Sequence, residues 1–346
     1  MIRQIPQVSV CIPTYNRAGM LKESIESVLA QTFQDFELIV SDNASTDDTE
    51  QMVRSFHDRR IVYSRNAENF GWQWNMGQVL SLAKGELLGV LPDDDIMLPD
   101  NLARKVEVLR RYPHAGLVHS KYHLIDAEGR VIRPNTNWGH GPDRVSDTIE
   151  SGQEVLRSLL LGYNTINLPT VLYRRECYDR LGGFTKALSH ADDYEYWMKI
   201  AAHYDVAFVA EPLVKWRIHS GTLTNQFCSG LRTGVSNEGL REHLLAKWMI
   251  LATYRSRIQN YTVLKEAVRQ VIIERVVFQA DMALDVEGQR REVRAFLFRM
   301  CREIPVLYRS VELWRTVVKT FFTRRGVLLM KRLCSPMSRW KSRQPV

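Results

Sequence analysis

Short apolar runs alternate with amphipathic stretches through the first third of the chain. The apolar runs predict strands, and they lie at 8–12 (VSVCI), 36–40 (FELIV), 61–63 and 87–91. Apolar residues at helical spacing predict helices over 20–30, 47–56 and 73–82 and from Pro99 to Pro113. This alternation indicates an α/β fold with a doubly wound, mostly parallel sheet. Ligands bind beyond the carboxyl ends of such strands, so the polar loops after Ile12, Val40 and Leu91 are the first candidates for chemistry.

The pattern becomes less regular in the middle of the chain and helical towards its end. The predicted elements of the middle part are a hairpin over 116–134, a loop over 135–150, strands over 168–173 and 206–218, and a helix over 193–203. Beyond about residue 232 only helical patterns persist. These shifts predict one domain over 1–230 and a helical C-terminal region over 231–346.

The charge is unevenly distributed, and its distribution matters more than its total. The chain has 47 Lys and Arg against 39 Asp and Glu, a formal net charge of +8. Residues 301–346 hold 11 of the basic and 2 of the acidic residues, so the remainder is close to neutral. A nucleic-acid-binding domain more often spreads its positive charge over a whole face. The basic end indicates an anionic surface instead.

Within that basic end, the apolar residues of 311–333 keep helical spacing and alternate with Arg and Lys. A basic amphipathic helix of this kind can lie in a membrane interface, so 311–343 is the candidate contact with an anionic membrane. The alternative is a helix that packs on the rest of the chain with a solvated basic face. No apolar run approaches the about 18 residues of a membrane span, and the N-terminus lacks a signal-peptide core. The expected location is the cytoplasm, peripheral to the membrane.

The strongest local signal for chemistry is LPDDDIMLP at 91–99. Its three carboxylates, Asp93, Asp94 and Asp95, follow an apolar strand. Adjacent like charges are unfavourable unless water or a cation neutralises them. Mg²⁺ and Mn²⁺ prefer such oxygen ligands and in turn hold phosphate oxygens. The alternative is a solvated acidic turn that caps the helix beginning at Pro99.

Two further candidates lie later in the chain. Asp192 and Asp193 begin a helix in HADDYEYWMKI, where Asp193 is a candidate general base and an N-cap pair is the alternative. His219 in WRIHSGT is a candidate metal or phosphate ligand, and a structural histidine is the alternative. The five cysteines are scattered without a CxxC, and GxGxxG, GxxxxGK[ST], GxSxG and HExxH are absent. A zinc site of the usual spacing, a P-loop and the common hydrolase motifs are therefore not indicated.

Taken in order, these pieces resemble glycosyltransferase family 2, the inverting nucleotide-sugar transferases of GT-A fold. The resemblance covers about residues 6–225 and rests on VSVCIPTYNRAGMLKESIESVLAQTFQDFELIVSDNASTDDT (8–49), NFGWQWNMGQVLSLAKGELLGVLPDDDIMLPDNL (69–102), LYRRECYDRLGGF (172–184), DDYEYW (192–197) and WRIHSGTLT (216–224). It implies a Rossmann-like GT-A domain over 1–230 with a helical, basic C-terminal extension. The nucleotide-sugar half would be about 1–115 and the acceptor half about 116–230.

The resemblance implies a role for each matching position. The positions it assigns to the nucleotide sugar are Thr14, Tyr15, Arg17, Asp42, Asn69, Asn75, Asp93 and Arg217. Asp42 would read a uracil or thymine edge, so a UDP- or dTDP-sugar is the expected donor. Asp94 is the expected ligand of Mn²⁺ or Mg²⁺, with Asp95 and His219 as further candidates. Asp193 is the expected catalytic base.

The sequence departs from the family's common pattern at three positions. Pro92 stands where an aspartate is frequent, so the choice among the three following carboxylates as metal ligand stays open. Asp192 replaces a frequent glutamate, and Thr185 replaces the aspartate that often follows GGF. The QxxRW motif of processive synthases is absent, which favours the addition of one sugar over a polymer.

The resemblance therefore implies transfer of one sugar, with inversion, to a hydroxyl of a glycan or a lipid-linked saccharide. A catalytically idle nucleotide-sugar-binding scaffold of the same fold is the alternative. A nucleic-acid-binding protein that uses the basic tail is disfavoured by the near-neutral body of the chain.

Overall fold

The computed structural model of the protein describes residues 5–136, 144–222, 238–284 and 289–321. In these residues ten strands form one sheet, and they are β1 (Val8–Thr14), β2 (Phe36–Asp42), β3 (Ile61–Arg65), β4 (Leu87–Val90), β5 (Ile96–Met97), β6 (Ala115–Ile125), β7 (Val131–Thr136), β8 (Thr148–Glu150), β9 (Leu172–Arg174) and β10 (Asp205–Arg217). The α-helices of the same residues are α1 (Ala18–Leu29), α2 (Thr49–Arg54), α3 (Trp72–Leu82), α4 (Asn101–Arg111), α5 (Gly152–Leu161), α6 (Arg175–Leu181), α7 (Asp192–Ala201), α8 (Glu238–Thr253), α9 (Tyr261–Leu284), α10 (Arg290–Glu303) and α11 (Val311–Lys319).

The sheet has a parallel half and a mixed half. Strands β3, β2, β1 and β4 are neighbours in that order and run parallel. The short antiparallel strand β9 joins β4 to β6, and β10 runs parallel to β6. Strands β5, β7 and β8 add antiparallel pairs. The predicted α/β fold with a mostly parallel central sheet is confirmed, and the carboxyl ends of β1, β2 and β4 meet at one edge.

The core explains why the first strands read as continuous apolar runs. Every position of β1 and β2 is buried. Leu21, Ile25 and Val28 of α1 share one core cluster with Val8, Val10 and Ile12 of β1, and α4 contributes further apolar side chains. On the opposite face the Cys11 thiol contacts the carbonyl of Val79 in α3. Strands covered on both faces lose the polar alternation that marks a half-exposed strand.

Helices α5 and α6 lie in a region where the sequence pattern predicted no helix. The N-terminus of α5 is marked by Ser151, whose hydroxyl accepts a hydrogen bond from the backbone N–H of Glu154. At Gly152 the backbone lies so close to the chain after α7 that an added Cβ would be 2.2 Å from the carbonyl oxygen of Tyr204. Glycine at this position therefore allows α5 to pack directly against α7, the helix that begins at Asp192.

The chain divides into two units, one of Met1–Gln226 with Ala246–Tyr261 and one of Phe227–Leu245 with Thr262–Val346. The first unit includes Ala246–Tyr261, which lies beyond the predicted boundary at 230, and that boundary itself falls at residues outside the described ranges. The predicted tail over 311–343 is described as far as Phe321. None of the helices in the described ranges combines the length and apolar character that crossing a membrane requires.

Candidate active site

The acidic turn after β4 is bonded to the loop after β1. The Thr14 hydroxyl donates to Oδ2 of Asp93 at 2.7 Å. Nη1 of Arg17 donates to Oδ1 of Asp93 at 3.1 Å and to Oδ2 of Asp94 at 2.8 Å. Both carboxylates are buried. The structure thus brings four of the predicted donor-site residues together from two distant stretches of the chain.

Burial and charge oppose each other in this cluster. Burial raises the pKa of Asp93 to about 6, although the Arg17 guanidinium lowers it. Burial alone would lower the pKa of Arg17, but Asp93 and Asp94 raise it above its ordinary value. The guanidinium therefore stays charged and offsets part of the negative charge that the turn holds out of water.

Asp95 is fully buried, and Arg217 forms hydrogen bonds with the same acidic turn. Oδ1 of the fully buried Asp95 accepts the backbone N–H of Arg217 at 2.8 Å, and its Oδ2 has no hydrogen-bond partner among the described residues. The Arg217 guanidinium is 1% exposed and donates to the carbonyls of Asp94 and Ala127 and to the Glu23 carboxylate. All its nitrogens are engaged with protein atoms, so its predicted contact with the donor stays a prediction.

His219 lies against the same turn. Its Nε2 is 3.1 Å from Oδ2 of Asp94, and its Nδ1 accepts the backbone N–H of Gly221 at 3.1 Å. The carbonyl of Gly221 in turn accepts from Nη2 of Arg17 at 2.7 Å. Because Nδ1 is an acceptor, the neutral tautomer that fits carries its proton on Nε2 and donates it to Asp94.

A divalent cation fits this donor set in part. No group of three His, Cys, Asp or Glu side chains in the described ranges is arranged to hold a metal ion. Mg²⁺ at nucleotide sites, however, usually takes one or two carboxylates and completes its shell with substrate phosphates and water. The Asp94 carboxylate and the unpartnered buried Oδ2 of Asp95 are oxygens of this kind. The residues present therefore fit a cation that binds together with a diphosphate.

The carboxylate at the end of β2 is fully buried. Oδ1 of Asp42 accepts the backbone N–H of Ser45 at 2.8 Å, and Oδ2 accepts the Tyr63 hydroxyl at 2.6 Å. This pairing and burial raise the pKa of Tyr63, with burial the larger cause. Tyr15, at the end of β1, is 42% exposed. Asp42 thus shapes the neighbouring loop, and its predicted contact with a base stays a prediction.

The predicted nucleotide loop is tied to the ends of β1 and β2. Asn75 of α3 is buried, accepts the Ser41 hydroxyl at 2.6 Å and donates to the Ser41 carbonyl at 2.9 Å. Oδ1 of Asn69 accepts from Nδ2 of Asn43 at 2.6 Å and from the N–H of Gly71 at 2.9 Å. Gly71 has a φ of 86°, which favours glycine there. The loop is therefore held at the edge that carries Thr14.

Asp193 has different surroundings. It is half-buried in the first turn of α7, where its Oδ1 accepts the backbone N–H of Tyr194. Its Oδ2 accepts from Nδ2 of Asn164 at 3.3 Å. Burial raises the pKa of Asp193 to about 7, although these two hydrogen bonds and the nearby side chain of Trp197 lower it. Across the described part of the chain no lysine or arginine forms an ion pair with it, so the carboxyl exchanges its proton near neutral pH, as a general base must.

The segment before Asp193 and the loop predicted to bind the nucleotide are in contact. Nε2 of Gln73 in α3 donates to the carbonyl of Leu188 at 3.4 Å, in the loop that leads to α7. Asp192, the other member of the acidic pair, accepts the backbone N–H of Asp193 at 2.9 Å. The N-cap position of α7 is occupied by Ala191 without a side-chain hydrogen bond, and Asp192 is the first helical residue, so the N-cap pair that the sequence left open does not form at this helix.

Several site residues were missed by sequence reasoning. Asn43, Tyr63 and Asn164 each bond directly to a predicted site residue, and Glu23 is the carboxylate partner of Arg217. Asn164 had a signal, because it interrupts the long uncharged stretch over 158–173. Glu23 had none, since it reads as one more charge on the polar face of α1.

Comparison with known proteins identifies the family of the chain. The family model described as Glycosyl transferase family 2 matches residues 9–180. An uncharacterized glycosyltransferase of Rickettsia typhi is 29% identical over 224 residues, which are 64% of this chain and 66% of that protein, just under two thirds of its length. The chondroitin synthase of Escherichia coli is 25% identical over 203 residues, 58% of this chain and 27% of its own.

Solved structures show the same fold at low identity. The S. aureus protein TarS in complex with UDP-GlcNAc has a TM-score of 0.67 and 16% identity, and the match covers 91% of this chain and 89% of that one. The mannosyltransferase PcManGT from Pyrobaculum calidifontis, in complex with GDP-Man and Mn²⁺, has a TM-score of 0.52 and 19% identity, with 93% and 89% covered. These neighbours show the GT-A fold, and the match to the family model together with the related glycosyltransferases shows that this chain belongs to glycosyltransferase family 2.

Proposed function

We propose that the protein transfers one sugar from a UDP- or dTDP-sugar to an acceptor hydroxyl with inversion of the anomeric centre. One observation carries the proposal. A buried carboxylate cluster paired with Arg17 lies at the carboxyl edge of the parallel strands, and a second carboxyl, Asp193, has a pKa of about 7 and no paired cation among the described residues. The first arrangement suits the binding of a cation and a diphosphate, and the second suits the acceptance of a proton.

The donor would bind against β1 and the loop over 69–75. Arg17 supplies positive charge for the diphosphate, and the exposed ring of Tyr15 offers a surface for the base. Among neighbours of this fold, TarS is solved with UDP-GlcNAc and PcManGT with GDP-Man, and we propose the uridine nucleotide because the family resemblance assigns Asp42 to a uracil or thymine edge. Asp42 would act on the base through the Tyr63 hydroxyl that it holds.

Mn²⁺ or Mg²⁺ would be held by Asp94, with Asp95 and His219 beside it. Bound there, such an ion supplies charge neutralisation for the departing diphosphate, which is worth several kcal/mol. The Arg17 guanidinium already contacts Oδ2 of Asp94 and would also help to neutralise the charge of the departing diphosphate.

Asp193 would act as the general base. Its carboxylate takes the proton of the acceptor hydroxyl while the hydroxyl oxygen forms a bond to the anomeric carbon. The bond from that carbon to the diphosphate oxygen breaks on the opposite face, so the nucleoside diphosphate leaves with the electron pair and the configuration inverts. Asn164 orients the carboxylate through its amide N–H. A positioned base of this kind contributes about 10²- to 10⁴-fold in rate.

Calorimetry of nucleotide binding tests the donor half of the proposal. UDP and GDP are titrated with and without Mn²⁺ into the wild-type chain, Asp94→Ala and the control Asp58→Ala, whose carboxylate pairs with Arg60 in another loop. We expect Mn²⁺-dependent UDP binding that Asp94→Ala loses and Asp58→Ala keeps. Absence of nucleotide binding under every condition would leave only the fold in common with the family. Binding without any release of UDP from UDP-sugars would favour the idle scaffold.

We infer further that the acceptor is presented at an anionic membrane, as a lipid-linked saccharide or glycan. The second unit has an exposed apolar surface, which we call the α11 surface. It consists of Phe298, Tyr308, Val311, Trp314, Val318 and Phe321. The Trp314 ring lies 6.3 Å from the rings of both Phe298 and Tyr308, and the Arg294 guanidinium lies 4.5 Å from the centre of the Phe321 ring.

The charge around the α11 surface favours lipid as its occupant. Residues 289–321 carry eight Arg and Lys against three Glu. Each basic residue near an anionic leaflet contributes about 1 kcal/mol, and aromatic side chains suit the interface. The wild-type chain should sediment with phosphatidylserine vesicles, and Trp314→Ser should remain in the supernatant. The control Phe278→Ser, which changes an exposed aromatic residue of α9, should sediment like the wild-type chain. Equal binding of all three chains, or none, would contradict the inference.

A further inference from the structure

A lysine outside the stretch matched by the family model is completely buried in the first unit. Lys247 of α8 is 0% exposed. Its Nζ donates to the carbonyl oxygens of Leu159 at 3.2 Å, Leu160 at 2.8 Å and Gly162 at 2.7 Å. Burying an ammonium group costs several kcal/mol unless hydrogen bonds satisfy it, and here all three N–H donors have an acceptor.

These acceptors form the C-terminal end of α5. The last carbonyls of a helix have no partner within the helix, and they carry the negative end of its dipole. A lysine ammonium that reaches three of them fixes the position of the helix end and of the chain that leaves it. That chain runs from Gly162 through Tyr163 to Asn164.

Both neighbours of Asp193 attach to the helix end that Lys247 holds. Asn164 donates to Oδ2 of Asp193 at 3.3 Å and is itself held through the N–H of Ile166 at 3.0 Å. The hydroxyl of Tyr194, the residue after Asp193, donates to the carbonyl of Leu159. The Tyr194 ring also lies under the ammonium group, with its centroid 5.8 Å from Nζ of Lys247.

The segment that carries Lys247 is attached to the same helices at further points. Nε2 of Gln153 in α5 donates to the carbonyl of Arg257 at 2.9 Å, and its Oε1 accepts the N–H of Gln259 at 3.0 Å. The rings of His203, just after α7, and Tyr254 lie 5.4 Å apart. Residues 246–261 thus belong to the first unit and pack against α5 and the end of α7.

We propose that Lys247 is a positioning residue for the general base: by holding the C-terminal end of α5, it keeps Asn164 and Tyr194 in place against Asp193. The inference rests on the proposed function only in that Asp193 is the base. It predicts that the proton affinity of Asp193 depends on a side chain that does not touch it.

The test compares Lys247→Met with Arg174→Met as a matched control. Arg174 holds the C-terminal end of α4 in a similar way, through the carbonyls of Leu109 at 2.6 Å and Tyr112 at 3.3 Å. The readout is the pKa of Asp193, obtained from the pH dependence of the difference in Tm between each chain and the same chain carrying Asp193→Asn. It requires neither donor nor acceptor, so an error in the proposed function leaves the readout intact.

Hydrogen bonds to a carboxylate lower its pKa, so releasing Asn164 should raise the pKa of Asp193 by about 0.5–1 unit. We expect this shift in Lys247→Met and in Asn164→Ala, and no further shift in the double variant. Arg174→Met should lower the Tm without moving the pKa. An unchanged pKa in Lys247→Met, an equal shift in Arg174→Met, or additive shifts in the double variant would each overturn the proposal. If Lys247→Met does not fold, Lys247→Gln takes its place with a smaller upward shift expected, and a wild-type pKa in that chain would overturn the proposal equally.

Discussion

Two acidic segments lie near the carboxyl edge of the sheet, and their environments differ in one respect, the presence of cations. Around the turn of Asp93 and Asp94 lie two arginines, Arg17 and Arg217, and the imidazole of His219. Around Asp193 the described residues that lower its pKa are neutral: the backbone amide of Tyr194 and the side chains of Asn164 and Trp197.

The pKa values reflect this difference. Burial raises the pKa of both Asp93 and Asp193, but the Arg17 guanidinium limits the rise at Asp93 to about 6. At Asp193 only neutral donors oppose the effect of burial, and the pKa reaches about 7. The same residue type is therefore set up for two tasks. In the proposed function, the carboxylates near cations would hold a metal ion beside the diphosphate, and the carboxyl that only neutral groups surround would accept a proton near neutral pH.

The largest expected effect separates the two segments by activity. Asp193→Asn removes the proton acceptor and should lower kcat by about 10²- to 10⁴-fold, while UDP binds as in the wild-type chain. The measurement is the release of UDP from the UDP-sugar, with calorimetry for binding. Asp192→Asn is the control, because it makes the same chemical change at the neighbouring carboxylate, which accepts a backbone N–H in the first turn of α7, and should affect kcat far less. Unaltered turnover in Asp193→Asn would rule out Asp193 as the base.

The second prediction concerns the cation side of the comparison. Arg17→Ala leaves Asp93 and Asp94 without their guanidinium and removes its charge from the donor site. A hydrogen bond between charged groups is worth about 1.5–3 kcal/mol, so UDP should bind about 10- to 100-fold more weakly. Arg60→Ala, which breaks the pair with Asp58 elsewhere, should leave UDP binding as it is. Equal dissociation constants for the Arg17→Ala and wild-type chains would exclude Arg17 from the donor site.

Local sequence patterns were sufficient for the parallel half of the fold. The first four strands and the helices between them are regular, and burial on both faces gives their strands continuous apolar runs. Helix α5 was missed although it carries a capping box, since Ser151 and Glu154 bond to each other at its start. It follows the predicted loop over 135–150, and the sequence pattern predicted no element between that loop and the strand predicted at 168–173.

The site could be predicted only where its residues are adjacent in sequence. Thr14, Arg17 and the acidic turn belong to recognisable stretches, and the structure brings them together. The bond between Arg217 and Glu23 joins residues 194 positions apart, and that between Lys247 and Gly162 joins residues 85 positions apart. No local pattern distinguishes such a buried cation from a solvated one, because its partners are supplied by tertiary packing.

The third prediction tests the raised pKa of Asp193 through the pH dependence of thermal stability, and it needs no substrate. The folded-state pKa of Asp193 is raised from its ordinary 3.8 to about 7, so its contribution favours folding below pH 3.8 and is lost as the pH rises towards 7. Asp193→Asn removes this dependence, and its Tm should exceed the wild-type Tm more at pH 8 than at pH 5. Each kcal/mol corresponds to about 2–4 °C in a domain of this size. A pH-independent difference in Tm would mean that the Asp193 pKa is not raised.

The smallest expected effect distinguishes the two roles left for His219. If His219 is a hydrogen-bond donor to Asp94, His219→Ala removes a hydrogen bond worth about 0.5–1.5 kcal/mol. Mn²⁺-dependent UDP binding should then weaken about 2- to 10-fold. The amide of His219→Gln can still donate to Asp94 and should recover most of that affinity. If His219 is instead a metal ligand, neither alanine nor glutamine replaces it well. Both variants should then need a higher Mn²⁺ concentration for UDP binding, by the same factor. Calorimetry of UDP binding across a range of Mn²⁺ concentrations decides between these outcomes. We expect the donor role, because Nδ1 accepts the N–H of Gly221 and the proton of the neutral imidazole is then on Nε2, facing Asp94.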